Sequence, residues 1–261
     1  MASAASVAAI RAVAERPAIG NRIMTKEQQI AQFTERFVKA FGTSAVSLIL
    51  YGSAAGAEFN EHYSDLNMLC VLKFIAPGEL AASEPLFRWW LEQGNPAPVL
   101  MSEAEVRGST DCFPIEYQDM QIRRRVLHGQ DVIEGLTVDR SFYRAQVEYE
   151  LRSKLLRLRQ KAAGTLHDRE RLARLMADSV STFLVLARHG LLLAGFDGGA
   201  TRHATVANLQ KHFALDPSPF EILLEVREEK RKPAAIDAVA VFTQYLIGVQ
   251  QLVDAVDSLH K

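Results

Sequence analysis

The chain has 261 residues, of which 48% are hydrophobic and 23% are charged, and its formal net charge is -1. This size and composition predict a soluble globular protein with a sizeable core, long enough for two domains. The balanced charge gives no global reason to expect nucleic acid or an anionic membrane as a partner, and no uninterrupted apolar run is long enough to predict a transmembrane helix. The two cysteines, Cys70 and Cys112, are expected to be reduced core residues of a cytoplasmic protein.

The N-terminal segment is rich in alanine, but charged residues interrupt its apolar run, which argues against a secretory signal. We expect residues 1–24 to be a disordered extension. The next segment, Thr25–Phe41, predicts an amphipathic helix. Thr25 is a suitable N-cap, Gln28 stands three residues further on, and apolar side chains keep helical spacing up to the end of the segment.

Two short apolar runs, Ser47–Tyr51 and Leu66–Leu72, predict neighbouring β-strands. The first run ends in Gly52 and Ser53, and a polar loop follows. Gly52 permits a turn and a close backbone approach that a Cβ would obstruct. Ser53 would open a helical turn, where its hydroxyl and the free backbone N–H groups can bind an anion such as a phosphate.

Two polar residues accompany the second apolar run. Asp65 precedes Leu66 and Asn67 follows it, and because side chains alternate along a strand, Asp65 and Asn67 project to one side while Leu66 faces the other. Carboxylate and amide oxygens can both coordinate a hard cation. A phosphate cradle that faces a pair of oxygen ligands is what a metal-dependent phosphoryl or nucleotidyl transferase requires.

Short elements separated by turn signals follow this segment. The pattern predicts a helix over Glu79–Glu92, a short strand at Val99–Met101, a helix over Ser102–Val106 with Ser102 as its cap, and a third long strand over Cys112–Met120. The last prediction rests on the alternation of apolar and polar residues in the sequence CFPIEYQDM.

The predicted third strand carries two acidic residues. Glu116 is flanked by apolar side chains, and a charged group in such surroundings needs a partner or a cleft. We therefore take Glu116 as a candidate site carboxylate. Asp119 is the rival candidate, which on a strand would point to the opposite face.

From Asp139 onward the alternation gives way to long helical periods. Five helices are predicted, at Asp139–Ala163, His167–Leu193, His203–Leu215, Pro217–Lys230 and Pro233–His260. Their short connections favour packing as a helical bundle. The predicted organisation is an extension over residues 1–24, an α/β domain over 25–136 and a helical domain over 137–261.

The combination of an apolar strand, Gly52-Ser53, a spacer of eleven residues and Asp65 two positions before Asn67 resembles the nucleotidyltransferase superfamily, which has the DNA polymerase beta-like fold. The segment Arg123–Gly129 resembles the one that follows the third acidic strand in small members. The α/β-then-all-α order is similar to kanamycin nucleotidyltransferase and to minimal nucleotidyltransferase–HEPN-type proteins. The expected fold class is therefore α+β, a nucleotidyltransferase-type mixed sheet with helices followed by an all-α helical bundle.

The resemblance implies Mg²⁺-dependent transfer of a nucleoside monophosphate from an NTP, with ATP the expected donor, to a small-molecule or protein acceptor. Gly52 and Ser53 would bind the triphosphate. Asp65, Asn67 and Glu116 would hold the metal, and Asp65 and Glu116 would be the catalytic residues. A homodimer is among the expected partners, while a membrane and nucleic acid are not.

The sequence also departs from the superfamily pattern. Asn67 stands where the family has its second metal-binding carboxylate, and an amide oxygen contributes no charge. The alternative function is therefore a catalytically silent nucleotide-binding or interaction module. The basic run Arg123–Arg125 either compensates for a weakly basic turn after Ser53 or forms a solvated surface. A third alternative is a toxin–antitoxin-like partner, which an exposed apolar face around Val241–Val249 would favour.

Overall fold

The computed structural model describes residues 24–56 and 65–259. The predicted disordered extension lies almost entirely outside the described residues, as does most of the loop between Ser53 and Asp65. The strands are β1 (Ala45–Tyr51), β2 (Asn67–Leu72), β3 (Val99–Ser102) and β4 (Arg124–Gly129). The helices are α1 (Lys26–Phe41), α2 (Pro77–Glu92), α3 (Glu103–Gly108), α4 (Pro114–Ile122), α5 (Tyr143–Ala163), α6 (Arg169–Leu193), α7 (Arg202–Phe213), α8 (Ser218–Arg227) and α9 (Ala238–Ser258).

The four strands in the described part of the chain form one mixed sheet in the order β3-β2-β1-β4. Strand β1 pairs antiparallel with both β2 and β4, while β2 pairs parallel with β3. Tyr51, the last residue of β1, lies opposite Asn67 on one side and opposite Arg124 on the other. The register therefore brings the end of β1, the start of β2 and the start of β4 to one edge of the sheet.

Local sequence signals account for the first helix. Thr25 Oγ1 accepts a hydrogen bond from Gln28 N at 3.3 Å, and Gln28 Oε1 accepts one from Thr25 N at 3.0 Å, so that both halves of the predicted capping box are present. The helix buries Ile30, Phe33 and Phe37 against the sheet. The prediction of this helix is confirmed.

The second half of the described chain is helical and packs around α6, which contacts α5, α7, α8 and α9. Most of its apolar side chains belong to one buried cluster, which also takes in Ile115 from α4. Ile133 and Val138 instead join a cluster on the sheet. The predicted domain division at residues 136/137 stays a prediction.

The prediction of a strand over Cys112–Met120 is wrong, because residues 114–122 form helix α4. Pro114 occupies the first turn, where its missing N–H removes no hydrogen bond. The buried residues Pro114, Tyr117 and Met120 repeat every three positions and so lie on one helix face. Ile115 is buried as well, and because it stands two positions before Tyr117, this short window also shows the alternation of a strand. Cys112, expected in the core, is exposed.

Two helices, α6 and α9, are long and apolar enough to span a membrane by length and composition alone, a test that buried core helices also pass. Of the apolar window, 61% is buried inside the molecule in α6 and 39% in α9. Phe242, Tyr245 and Val249 of α9 are buried in the bundle, while Ile247 is exposed. The apolar face around Val241–Val249 is therefore largely used within the chain.

Candidate functional site

A cleft of about 230 Å³ opens between the edge of the sheet where β1 ends and the helices α6, α7 and α8. The sheet side contributes Tyr51, Gly52, Asp65 and Asn67, and α4 with the residue after it contributes Asp119 and Arg123. The helical side contributes mainly polar residues, among them Ser181, Thr182, Arg188, Thr201, Arg202, Thr205 and Arg227. The cleft therefore joins the predicted Gly-Ser and Asp-x-Asn segments to residues from the helical half.

The turn after β1 has the conformation that its sequence predicts. Gly52 has φ +81°, a left-handed value that favours glycine, and its N–H donates to Arg123 O at 3.1 Å. A Cβ at Gly52 would lie 3.2 Å from Asn67 Nδ2, so the turn lies directly against the Asn67 side chain. Ser53 follows in a 3₁₀ turn over Gly52–Ala55, and its side chain lies outside what the structure describes.

The predicted alternation at the start of β2 is also present. Leu66 is fully buried, Asn67 is half-buried and Asp65 is exposed, and both polar residues line the cleft. The structure therefore brings Gly52, Asp65 and Asn67 together, as the sequence predicts.

Glu116 does not line this cleft, and its predicted place on a strand is wrong. It lies in the first turn of α4, where its Oε2 atom is buried and has no hydrogen-bond partner among the described residues. Burial raises the pKa of this carboxyl, a hydrogen bond to its own backbone N–H opposes the rise, and the charges of Asp119 and Glu150 add to it. On a helix, residues three apart share a face, so Asp119 neighbours Glu116. Of the two carboxylates, Asp119 lines the cleft.

The Asp119 carboxylate contacts the side chains of two consecutive residues of α6. Arg188 Nη2 donates a hydrogen bond to Asp119 Oδ1, and His189 Nε2 lies 2.9 Å from the same oxygen. Burial opposes the ionisation of Asp119, but the hydrogen bonds and charges of these two partners outweigh it and lower the pKa of the carboxyl. The Asp119 carboxylate therefore serves as a counter-ion at the seam between α4 and α6.

Among the described residues, four arginines line the cleft: Arg123, Arg188, Arg202 and Arg227. The carboxylates in the described part of its lining are Asp65 and Asp119. The helical half thus brings arginines to the cleft that the predicted motif did not include, and guanidinium groups suit a polyanion such as a triphosphate.

The basic run after α4 divides into different roles. Arg124 forms an ion pair with Asp131 at 2.8 Å, and Arg125 forms one with Glu27 at 3.1 Å. Arg123 Nη2 donates to Ala200 O, in the connection between α6 and α7, and Arg123 lines the cleft. Of the three arginines in the run Arg123–Arg125, only Arg123 is therefore placed to compensate for the weakly basic turn after Ser53.

The metal that the resemblance implies can be tested against these donors. Among residues 24–56 and 65–259, no group of three or more His, Cys, Asp or Glu side chains could hold a metal ion. Asp65 offers one carboxylate and Asn67 one neutral amide oxygen, while Asp119 is engaged by Arg188. This donor set fits one Mg²⁺ ion completed by phosphate oxygens and does not fit a preformed two-metal centre.

A second cavity of about 460 Å³ adjoins the first, and Asp65 and Arg227 line both. Its other lining residues come from the helical half: Arg174, Ala177, Asp178, Val226, Glu229, Arg231, Lys232 and Pro233. Two cations are neutralised from nearby, because Arg174 pairs with Glu170 at 2.5 Å and Arg231 pairs with Glu225 at 2.6 Å. The carboxylates of Asp178 and Glu229 make no ion pair with another described residue.

Comparison with known proteins identifies a structural neighbour. No family model matches the chain, and no curated protein matches its sequence. Among solved structures, the chain is similar to spectinomycin adenyltransferase AAD(9) from Enterococcus faecialis, solved with ATP and spectinomycin, with a TM-score of 0.57 and 11% sequence identity. The match covers 89% of this chain and 99% of the neighbour. The chain therefore has the nucleotidyltransferase fold, a mixed sheet with helices followed by a helical bundle.

Proposed function

We propose that this chain binds a nucleoside triphosphate, with ATP the expected donor, in the cleft between the sheet and the helical bundle, and transfers its nucleoside monophosphate to a small-molecule acceptor. One observation carries the proposal. Four arginines from both halves of the chain converge on the cleft that holds the Gly52 turn and Asp65. Guanidinium groups bind phosphate oxygens through paired hydrogen bonds, which makes such a convergence suited to a triphosphate.

The residues have distinct proposed roles. The Gly52 turn lets the backbone approach the phosphates closely, and Arg123 and Arg227 offset phosphate charge from the two sides of the cleft. Asp65 and Asn67 would hold one Mg²⁺. When bound, that ion would neutralise and polarise the triphosphate. Glu116 has no place in this proposal as a metal ligand or base, because it does not line the cleft.

The second cavity supports a small molecule rather than a protein as the acceptor. Its volume of about 460 Å³ falls within the range of small-molecule sites, and it meets the first cavity at Asp65. Asp178 and Glu229 would bind amino or hydroxyl groups of a polar acceptor. The structural neighbour was solved with ATP and spectinomycin, which makes spectinomycin the first acceptor to assay.

The alternative is a catalytically silent module that binds nucleotide without transferring it. Two observations favour it: Asn67 supplies no charge to a metal, and Asp119 is engaged by Arg188. This alternative shares the nucleotide site and differs only in turnover, so that one set of measurements separates the two.

Titration calorimetry with ATP, GTP, CTP and UTP, with and without Mg²⁺, tests the nucleotide site. We expect Mg²⁺-dependent binding that Asp65→Ala and Arg227→Ala weaken, while Arg107→Ala, an exposed arginine outside both cavities, leaves it unchanged. Pyrophosphate release in the presence of ATP and an acceptor then reports transfer. Binding without release under every acceptor supports the silent module, and absence of binding by the wild type refutes the proposal.

A further inference from the structure

A chain of buried polar side chains lies behind the cleft and connects three helices. Tyr143 OH and His189 Nδ1 are 2.5 Å apart, and His189 Nε2 lies 2.9 Å from Asp119 Oδ1, off the line of an ideal hydrogen bond. Arg188 Nη2 donates to the same oxygen. Tyr143 and His189 are 1% and 0% exposed, and polar groups so deeply buried are stable only with partners.

The chain runs from Tyr143 through His189 to Asp119. Burial and the nearby negative charge of Asp119 raise the pKa of the Tyr143 hydroxyl, so it keeps its proton and can donate it to His189 Nδ1, 2.5 Å away. The other ring nitrogen of His189 lies against the Asp119 carboxylate. The three side chains are therefore in contact in succession, and the chain ends on the carboxylate that holds Arg188.

Arg188 is held firmly but is not fully satisfied. Its side chain is 10% exposed, and a Cβ at Gly198 would collide with Arg188 Cγ, so the stem is clamped by the connection between α6 and α7. Its Nε atom is buried and has no hydrogen-bond partner among the described residues. Arg188 nevertheless lines the cleft. The Asp119 contact occupies Nη2, so the guanidinium keeps further hydrogen-bonding capacity, and an anionic oxygen entering the cleft would be an acceptor for it.

We propose that Tyr143, His189 and Asp119 form a positioning relay that orients the Arg188 guanidinium to bind a phosphate group in the cleft. Arg188 is the residue that contacts the anion, and the other three act through it. This inference rests on the proposed function for the identity of the anion, a nucleoside triphosphate. Because Asp119 belongs to α4, Tyr143 to α5 and Arg188 to α6, the relay also ties the orientation of Arg188 to the packing of these three helices.

The test compares two buried tyrosines. Tyr143→Phe removes only the hydroxyl that begins the relay. Tyr245→Phe is the matched control, because Tyr245 is also fully buried and its hydroxyl hydrogen-bonds Ser179 Oγ at 3.0 Å within the bundle. Calorimetry measures the Kd of each purified full-length variant for inorganic tripolyphosphate and for ATP. The Kd for adenosine, which has no phosphate group, is the control ligand measurement.

We expect Tyr143→Phe to weaken tripolyphosphate and ATP by about 2- to 10-fold, the range for loss of one hydrogen bond, and to leave adenosine unchanged. Arg188→Ala should weaken the same two ligands by about 10-fold or more, since a charge-assisted hydrogen bond is lost. Tyr245→Phe should lower thermal stability to a similar extent without altering any of the three Kd values.

The outcomes separate the relay from the proposed function. If the wild type binds ATP and transfers its nucleotide while Tyr143→Phe binds phosphates as the wild type does, the relay is overturned and the function stands. If both tyrosine variants lose phosphate affinity equally, the effect is structural and the relay is again overturned. If the wild type binds tripolyphosphate but transfers no nucleotide, and only Tyr143→Phe loses phosphate affinity, the relay is supported and the transferase is overturned. A wild type that binds neither tripolyphosphate nor ATP overturns both.

Discussion

Glu116→Gln is the substitution that most sharply separates a structural from a catalytic role for the carboxylate on α4. Glu116 has one oxygen buried without a partner among the described residues, and it stands close enough to Asp119 for the two charges to repel. Glutamine keeps the shape of the side chain and removes the charge. We therefore expect the variant to be more stable than the wild type.

The magnitude follows from the unpaired buried group. Leaving a buried polar group unsatisfied costs about 1–3 kcal/mol, and for a chain of this size each kcal/mol changes Tm by about 2–4 °C. We expect the variant to gain about 1–2 kcal/mol in the free energy of unfolding at pH 8, since glutamine still buries an amide. In Tm the gain is about 2–8 °C.

The stability difference between the variant and the wild type should depend on pH through the ionisation of Glu116. Burial raises the folded-state pKa of Glu116 above its ordinary value of 4.5, so the folded protein binds this proton more tightly than the unfolded chain does. The wild type therefore loses stability as the pH rises above about 4.5, until the folded-state pKa is passed. The advantage of the variant should be small at pH 5 and should grow with pH until the folded-state pKa is passed.

Thermal denaturation followed by circular dichroism at pH 5, 6, 7 and 8 measures this advantage. Glu84→Gln is a suitable control, because Glu84 is exposed and forms an i,i+4 ion pair with Arg88. That substitution should change stability by less than about 0.5 kcal/mol. A Glu116→Gln variant that is no more stable at pH 8 and loses nucleotide transfer by about 100-fold or more would refute this reasoning and restore Glu116 as a catalytic residue.

Three further predictions concern the cleft and its supports. Asn67→Asp should tighten Mg²⁺-dependent ATP binding by about 1 kcal/mol or more, because it adds a unit charge; calorimetry showing equal or weaker binding would count against a metal at this position. Gly52→Ala should cost about 1–2 kcal/mol, since Gly52 has φ +81°, and should weaken ATP; an unchanged Tm and Kd would contradict the role of the turn. Partial burial opposes protonation of His203, but its contacts with Glu221 and Glu228 at 2.5 and 3.1 Å outweigh this and raise its pKa above 6.5. The wild type should therefore lose stability relative to His203→Gln as the pH rises from 6.5 through the folded-state pKa. If the Tm values of the two proteins change with pH in the same way, protonated His203 does not contribute to stability.

The features that the sequence predicted correctly are governed by contacts between near neighbours. The Thr25–Gln28 capping box, the Ser102 cap of α3 and the turn at Gly52 depend on residues within a few positions of one another. The alternation from Asp65 to Asn67 depends only on strand geometry. Such signals can be read from the chain without knowing what packs against it, and they placed the Gly-Ser turn beside the Asp-x-Asn segment.

The segment around Glu116 shows where local signals were insufficient. The alternation over residues 112–120 suits a strand, but Pro114 at a helix start and burial of every third residue suit a helix equally well. Packing of Ile115 into the helical cluster and of Tyr117 against the sheet accompanies the helix. With the segment helical instead of extended, Glu116 lies outside the cleft and Asp119 lines it.

The sequence by itself therefore determined the turn at Gly52, the Asp65 and Asn67 pair and the change from strands to helices, because each is set by residue type and short-range spacing. Only the tertiary structure decided that Arg188, Arg202 and Arg227 would line the same cleft as this turn. No local signal distinguishes these arginines from others on the surfaces of amphipathic helices. Their positions depend on how α6, α7 and α8 pack beside the sheet, and that packing arises from the whole buried core of the bundle.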